Sequence, residues 1–351
     1  MTDGLDRRDA AIVNAFQGGF PVTDRPFEVA ADALAAGGVD LSGTALREHI
    51  ADLVERGTLS RFGPLIDADA IGGRAELVAM AVPADRFDAV AEAVNAHEEV
   101  SHNYRRDHDT LTMWLVVSAA DPDRIEGVTD AIEAETGLRT YRLPKLTEFH
   151  VGARFPVEGP FADGGLDLTD RNPGVAAHDG ETLTADEREL LLAIQDGLPI
   201  EADPYVAVAD DIGAAPAWVR ETIEAFRRAG VIRRIGAVPN HYALGYSENG
   251  MTVWDVPDDS VEEIGTALAD LPFVTHCYER PRHDDVWPYN VFAMVHGRSE
   301  VEIDARLDRV RAVVAAHARI ADDDWATLYS TEMLKKTGFS LADRTEAATN
   351  S

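Results

Sequence analysis

Two short segments gather side chains that exchange protons and hold anions. His102 to His108 reads H-N-Y-R-R-D-H, and His276 to His283 reads H-C-Y-E-R-P-R-H. Each begins on the histidine of a near-identical V-[ST]-H. Each also carries the pattern H-x-Y-x-R, as His102, Tyr104 and Arg106 and again as His276, Tyr278 and Arg280. Imidazole changes its charge near neutral pH and, when neutral, ligates metals. The planar guanidinium fork suits carboxylates. Arg105, His108, Arg282 and His283 lie in the same two segments, and Trp287 and Tyr289 follow the second. One histidine at a strand end is ordinarily structural; the same trio at matching positions twice points to function.

The chain around them is acidic, with 63 Asp and Glu against 32 Lys and Arg and a formal net charge of −31. Only three of the bases are lysine: Lys145, Lys335 and Lys336. This bias resembles that of salt-loving archaea. In molar salt the Debye length shrinks to roughly 3 Å, so acidity alone does not exclude a polyanionic ligand. Hydrophobic content of 45% excludes general disorder. The single cysteine, Cys277, excludes an internal disulfide and argues against a thiolate zinc site or an iron–sulfur cluster. No basic start leads into an apolar run, and no stretch reaches the roughly 18 apolar residues of a membrane span. The expectation is a soluble, cytoplasmic protein with no membrane partner.

The elements that must position the two segments occur twice. F-P-V-T-D-R-P-F (Phe20–Phe27) returns as L-P-I-E-A-D-P-Y, and R-G-T-L-S-R-F-G (Arg56–Gly63) returns as A-G-V-I-R-R-I-G. The period of about 175 residues is far too long for a solenoid and indicates a duplicated or fused pair. In each copy three helical patterns and a short strand describe a winged helix-turn-helix. Thr184 is the expected N-cap of the first helix in copy two, and Gly230 the stop of the third. Strands and helices then alternate as βαββαβ, a ferredoxin-like sheet with helices on one face. The fold class is therefore α+β. The expected layout is a winged helix over 1–66, a ferredoxin-like domain over 67–155, and a linker over 156–181. A second winged helix then covers 182–240, a second ferredoxin-like domain 241–341, and a flexible tail 342–351. Both histidine segments fall at the end of a second strand. Alternation places His276, Tyr278 and Arg280 on one face and Cys277, a small buried apolar residue, on the other.

A winged helix-turn-helix joined to βαββαβ resembles the Lrp/AsnC regulators. The runs H-C-Y-E-R-P-R-H-D-D-V-W-P-Y-N-V-F-A-M-V-H-G, H-N-Y-R-R-D-H and L-Y-S-T-E-M-L-K-K-T-G-F resemble, more specifically, the siroheme decarboxylases of the alternative haem pathway. Members usually pair two related subunits, so this chain looks like a natural fusion whose two copies pair within one molecule, with room for a further homodimer. The resemblance implies siroheme as substrate and loss of two acetate carboxylates to give 12,18-didecarboxysiroheme. Arg105, Arg106, Arg280 and Arg282 are the expected carboxylate binders. His108, His283, Arg233, Arg234, Trp287, Tyr289, Lys335 and Lys336 complete the expected substrate contacts.

No pyridoxal-phosphate or thiamine motif stands in the sequence. The tetrapyrrole itself is the expected electron sink, with no cofactor beyond it and with haem expected to bind as a product analogue. His276 and Tyr278, and in the first copy His102 and Tyr104, are the expected proton donors. Either His276 or His102 also suits axial ligation of the siroheme iron, and the sequence leaves acid and ligand unassigned. The rival readings are a DNA-binding regulator, a haem sensor without turnover, and the related pair that makes the nitrite reductase haem in denitrifiers. Against DNA, the start of the second recognition-type helix, A-A-P-A-W, offers no polar side chains for base readout.

Overall fold

The computed structural model describes residues 5–67, 73–119, 122–164, 166, 183–283 and 286–336. The expected tail, 342–351, and most of the expected linker lie outside them. Copy one runs α1 (Arg7–Phe16), α2 (Pro26–Ala36), α3 (Gly43–Glu55), β1 (Leu59–Ile66), β2 (Arg74–Met80), α4 (Phe87–Ala96), β3 (Val100–Arg106), β4 (Met113–Ala119), α5 (Pro122–Thr136), β5 (Thr140–Leu143) and β6 (Thr147–Val151). Copy two runs α6 (Ala185–Ile194), α7 (Pro204–Asp211), α8 (Pro216–Ala229), β7 (Ile232–Pro239), β8 (Glu248–Trp254), α9 (Val261–Ala269), β9 (Val274–Glu279), β10 (Val291–Gly297), α10 (Glu300–His317) and β11 (Trp325–Lys336). Contacts divide the chain by domain type and not by copy: 5–67 with 155–245, and 73–154 with 246–336.

The first unit holds both helical thirds. Its helices begin on the signals the sequence carries: Thr184 and Glu187 form a capping box at α6, and prolines open α2, α7 and α8. Gly230 ends α8 at φ 80°. The strands read as two separate wings instead pair with each other. β1 runs antiparallel to β7, with Gly63 opposite Gly236, because a lone strand would leave its backbone groups without partners. Each glycine packs on the other copy. A Cβ on Gly236 would lie 2.1 Å from the Phe16 carbonyl oxygen, and one on Gly63 2.7 Å from Gly197 Cα. Both residues have positive φ, 154° and 158°. Gly236→Ala is therefore expected to cost about 2–4 kcal/mol, read as a lowered urea midpoint at an unchanged m-value.

The first residues of the expected linker, and Phe155 just before it, are packed. Phe155 and Val157 are buried, and Asn14 Nδ2 donates to the Val157 and Pro160 carbonyls at 2.8 and 2.9 Å. Gln17 Oε1 accepts from the Phe155 N–H at 2.7 Å. The side chains that satisfy this stretch stand on α1, 143 residues away for Asn14 and Val157, so its local composition gives no sign of them.

Among the described residues the second unit forms one nine-stranded sheet in the order β5-β2-β4-β3-β11-β8-β10-β9-β6. Each copy contributes the ferredoxin-like order of its own four strands. Val90, Val94 and Ile132 pack helices α4 and α5 on the first half, and Ile264, Leu268 and Val310 pack α9 and α10 on the second. The opposite sheet faces share a third core, where Trp114, Leu111 and Leu143 meet Trp287, Phe292 and Leu328. The strand ending at Ser330 by sequence pattern continues to Lys336. Its last residues pair with β3, while β6 pairs with β9. Each strand that bears H-x-Y-x-R would otherwise be an exposed edge, and each is covered by a segment of the other copy.

Candidate functional site

Both segments lie in the second unit, on β3 and β9, and the alternation expected from the sequence holds. Asn103 is fully buried and donates to Asn95 of α4, and Cys277 Sγ lies 3.6 Å from the Gly265 carbonyl of α9. These residues mark the helix-covered face. Burial pushes the Cys277 thiol up to about 12, so it stays a protonated apolar group. His102, Tyr104 and Arg106, and likewise His276, Tyr278 and Arg280, share the other face.

The two trios have the same internal geometry. The ring centroids of His102 and Tyr104 are 6.2 Å apart, and those of His276 and Tyr278 6.1 Å. The guanidinium carbon of Arg106 lies 5.6 Å from the Tyr104 ring centroid and that of Arg280 4.8 Å from Tyr278. Arg106 donates to the Leu328 carbonyl at 3.0 Å, and Arg280 donates to the Leu143 carbonyl. Each arginine is thus anchored by the fourth strand of the opposite copy.

Arg280 is 8% exposed, and among the described residues no carboxylate lies within ion-pair distance of it. Its Nε is buried without a hydrogen-bond partner. Burial pulls its pKa down to about 10, with Tyr278 and Glu76 acting the other way. A buried cation with spare donors and no described acid at ion-pair distance is suited to an incoming anion. Lys145 Nζ lies 5.9 Å from the Tyr278 ring centroid and pairs with Glu148 at 3.0 Å. The scarcity of lysine was the sequence signal for it.

Other expected contacts are placed differently. Arg105 turns to the helix face, its guanidinium carbon 4.2 Å from the Phe87 ring centroid. With Arg106, His108, Thr331 and Glu332 it lines a cavity of about 410 Å³. Arg282 is committed to Asp255 at 2.7 Å, Asp258 at 2.6 Å and the carbonyls of Val256 and Pro288. Burial works against its charge, but those two carboxylates hold its pKa above the ordinary value. These partners take up its donors within the fold. Lys335 Nζ donates to the Asn95 and His97 carbonyls at 2.9 and 2.8 Å, capping the C-terminal end of α4, where a cation is favoured. The Lys336 side chain lies outside the described residues.

Trp287 is fully buried and meets Trp114 edge-on at 4.9 Å. It fills the shared core, and Tyr289 packs against it at 4.9 Å. Arg233 and Arg234 belong to the first unit, on β7, where Arg233 pairs with Asp67 at 2.7 Å.

His108 packs its ring 5.3 Å from Trp287, and its Nδ1 accepts from the Thr110 and Leu111 N–H groups at 3.1 and 3.0 Å. Burial lowers its pKa, opposed by Asp109 and Asp107. A histidine held neutral in the fold contributes stability that is complete above its unfolded pKa of about 6.5 and is lost as pH falls through the folded value. We expect the Tm to fall between about pH 7 and pH 5. His108→Asn, whose amide oxygen takes the same two N–H bonds, is expected to fall less in a parallel melt series. His283 Nε2 lies 2.8 Å from the Arg142 carbonyl, and its ring packs edge-on to Tyr141 at 5.4 Å.

In the first unit, the arginines of the recognition-type helix α8 are already paired. Arg227 and Arg228 reach Glu224 at 2.7 and 3.6 Å, and Arg220 reaches Asp24 at 2.5 Å. Among the described residues no helix is long and apolar enough to cross a membrane.

Comparison with known proteins adds family to geometry. Residues 70–150 and 243–335 match the model of the AsnC-like ligand binding domain, and 187–233 match that of the siroheme decarboxylase NirDL-like HTH domain. The siroheme decarboxylase NirDL subunit of Paracoccus pantotrophus is 31% identical over 339 residues, spanning 97% of this chain and 98% of the relative. The NirH subunit of Pseudomonas aeruginosa is 48% identical over 159 residues, 45% of this chain and 91% of that subunit. A crystal structure of the siroheme decarboxylase NirDL in complex with an iron-uroporphyrin III analogue superimposes with a TM-score of 0.66 at 25% identity, over 95% of this chain and 94% of that one.

Proposed function

The chain belongs to the siroheme decarboxylase family of carboxy-lyases, and from that premise we infer that it removes two acetate carboxylates from siroheme to give 12,18-didecarboxysiroheme. The observation that carries the reading is Arg280, a buried guanidinium with spare donors and no acid partner among the described residues, on one sheet face with His276 and Tyr278. Arg280 and Arg106 hold carboxylate arms through charge-assisted hydrogen bonds. A proton delivered to the macrocycle beside an acetate arm makes it electrophilic. The bond to the carboxylate breaks, its electron pair enters the conjugated ring, and carbon dioxide leaves. Protonation of the resulting enamine-like carbon gives a methyl group, and the ring gives back the proton it took up. Each arm thus consumes one proton and releases one carbon dioxide, with no net oxidation. His276 and Tyr278, or His102 and Tyr104 in the first copy, serve that proton, and haem binds as a product analogue.

The test is anaerobic incubation of the intact chain with siroheme in high salt, followed by mass spectrometry of the pigment. Loss of two carbon dioxide units is the expected result. A spectral shift with unchanged mass would make the protein a sensor, and no binding would overturn the reading.

A further inference from the structure

The V-[ST]-H motif has a physical meaning in both copies. His102 Nδ1 lies 3.1 Å from Ser101 Oγ, and His276 Nδ1 lies 3.0 Å from Thr275 Oγ1. Each hydroxyl also faces a carbonyl on the neighbouring strand: Ser101 donates to Val116 at 3.2 Å, with the Ser118 hydroxyl beside it at 3.1 Å, and Thr275 donates to Met294 at 3.5 Å. Those carbonyls belong to the residues paired with His102 and His276 themselves, so the arrangement is the same in both halves. A carbonyl only accepts, and a hydroxyl has one proton to give. With that proton on the carbonyl, the hydroxyl meets the imidazole with a lone pair, and Nδ1 must be the protonated nitrogen.

The other two histidines of the motif segments are held the opposite way. His108 Nδ1 accepts from two backbone N–H groups, which can only donate, so its proton sits on Nε2. His283 Nε2 faces the Arg142 carbonyl, which can only accept, so its proton also sits on Nε2.

We propose that Ser101 and Thr275 are positioning residues that fix His102 and His276 as Nδ1–H tautomers, presenting Nε2 as the nitrogen that takes up and returns a proton, whereas His108 and His283 are fixed Nε2–H donors. Protonation at Nε2 keeps the Nδ1–H bond to the hydroxyl, so the ring does not reorient between its neutral and charged forms. The catalytic use of Nε2 rests on the decarboxylase reading; the tautomers do not.

The experiment is a long-range proton–nitrogen NMR spectrum of the intact, uniformly nitrogen-15-labelled chain without substrate, near pH 8, with single histidine variants for assignment. Protonated Nδ1 is expected at His102 and His276 and protonated Nε2 at His108 and His283. Thr275→Val, which keeps the shape and removes the acceptor, is expected to move His276 to the Nε2–H form and to lower kcat at least 10-fold with little change in KM. Thr275→Ser is expected to restore both. An Nε2–H signal at His276 in the unaltered chain overturns the proposal. So does a Thr275→Val spectrum in which the tautomer stays put, or one in which it moves while kcat does not. An unaltered chain with the expected tautomers and no action on siroheme leaves the tautomer assignment standing and removes the decarboxylase reading.

Discussion

His276→Ala is expected to slow the loss of carbon dioxide from siroheme by about 10²–10⁴-fold, the range that a positioned proton-transfer group supplies. The imidazole belongs to neither helix-covered core, and Cys277 beside it supplies the packing on that side. The variant is therefore expected to melt within a few degrees of the parent, so its loss of turnover reads as chemistry. Anaerobic single-turnover incubations with siroheme, quenched over time and weighed by mass spectrometry, report how many carboxylates remain. His102→Ala, run beside it, is expected to lose less, because the second copy carries the richer motif, H-C-Y-E-R-P-R-H followed by W-P-Y-N. Turnover by His276→Ala at the parent rate would transfer the proton role to another residue.

Arg280→Met is expected to weaken siroheme binding by roughly 10–200-fold, the loss of one charge-assisted hydrogen bond worth about 1.5–3 kcal/mol. It is also expected to leave stability unchanged or improved. That second expectation is unusual for a buried residue and follows from its surroundings. The guanidinium is desolvated with no carboxylate among the described residues at ion-pair distance, and replacing a buried charge by an apolar side chain of similar length often stabilises. The Leu143 carbonyl loses a donor, which limits the gain. A pigment titration followed by absorbance, together with a melt, reads both. Unchanged affinity would remove Arg280 from the carboxylate site, and a large fall in Tm would make it a structural residue. Arg282→Met is the contrast. Its donors are held by Asp255 and Asp258, so it is expected to lose stability with little change in affinity.

The sequence carries the face assignment, the paired trios and the βαββαβ order, because each rests on local alternation or on repetition. The capping residues Thr184 and Gly230 were legible for the same reason. What it hides lies across long separations. The Arg106–Leu328 hydrogen bond spans 222 residues and the Arg280–Leu143 bond 137, and no local pattern reports either. The fate of the cationic residues was hidden too. Arg280 and Arg282 stand two positions apart, yet one meets a carbonyl and aromatic rings while the other meets two aspartates that the fold brings from the segment after β8. Lys335 looked significant for its rarity, and its role as a cap on α4 depends on a strand pairing that the tail motif alone did not reveal. Ser101 and Thr275 were visible only as part of a repeated motif; their meaning needed the cross-strand carbonyls.

The exchange of strands also sets a schedule. β3 is synthesised early, but the segment that covers its edge includes Thr331, whose hydroxyl donates to the Arg105 carbonyl across 226 residues of chain. Until that segment leaves the ribosome, the first histidine strand keeps an open edge of backbone donors and acceptors, the kind of surface that pairs with other chains. The second histidine strand emerges when its cover, β6, is already made. The two halves of a nearly symmetric domain are thus unequal in time: one site closes as soon as its strand appears, and the other waits for the end of the sheet.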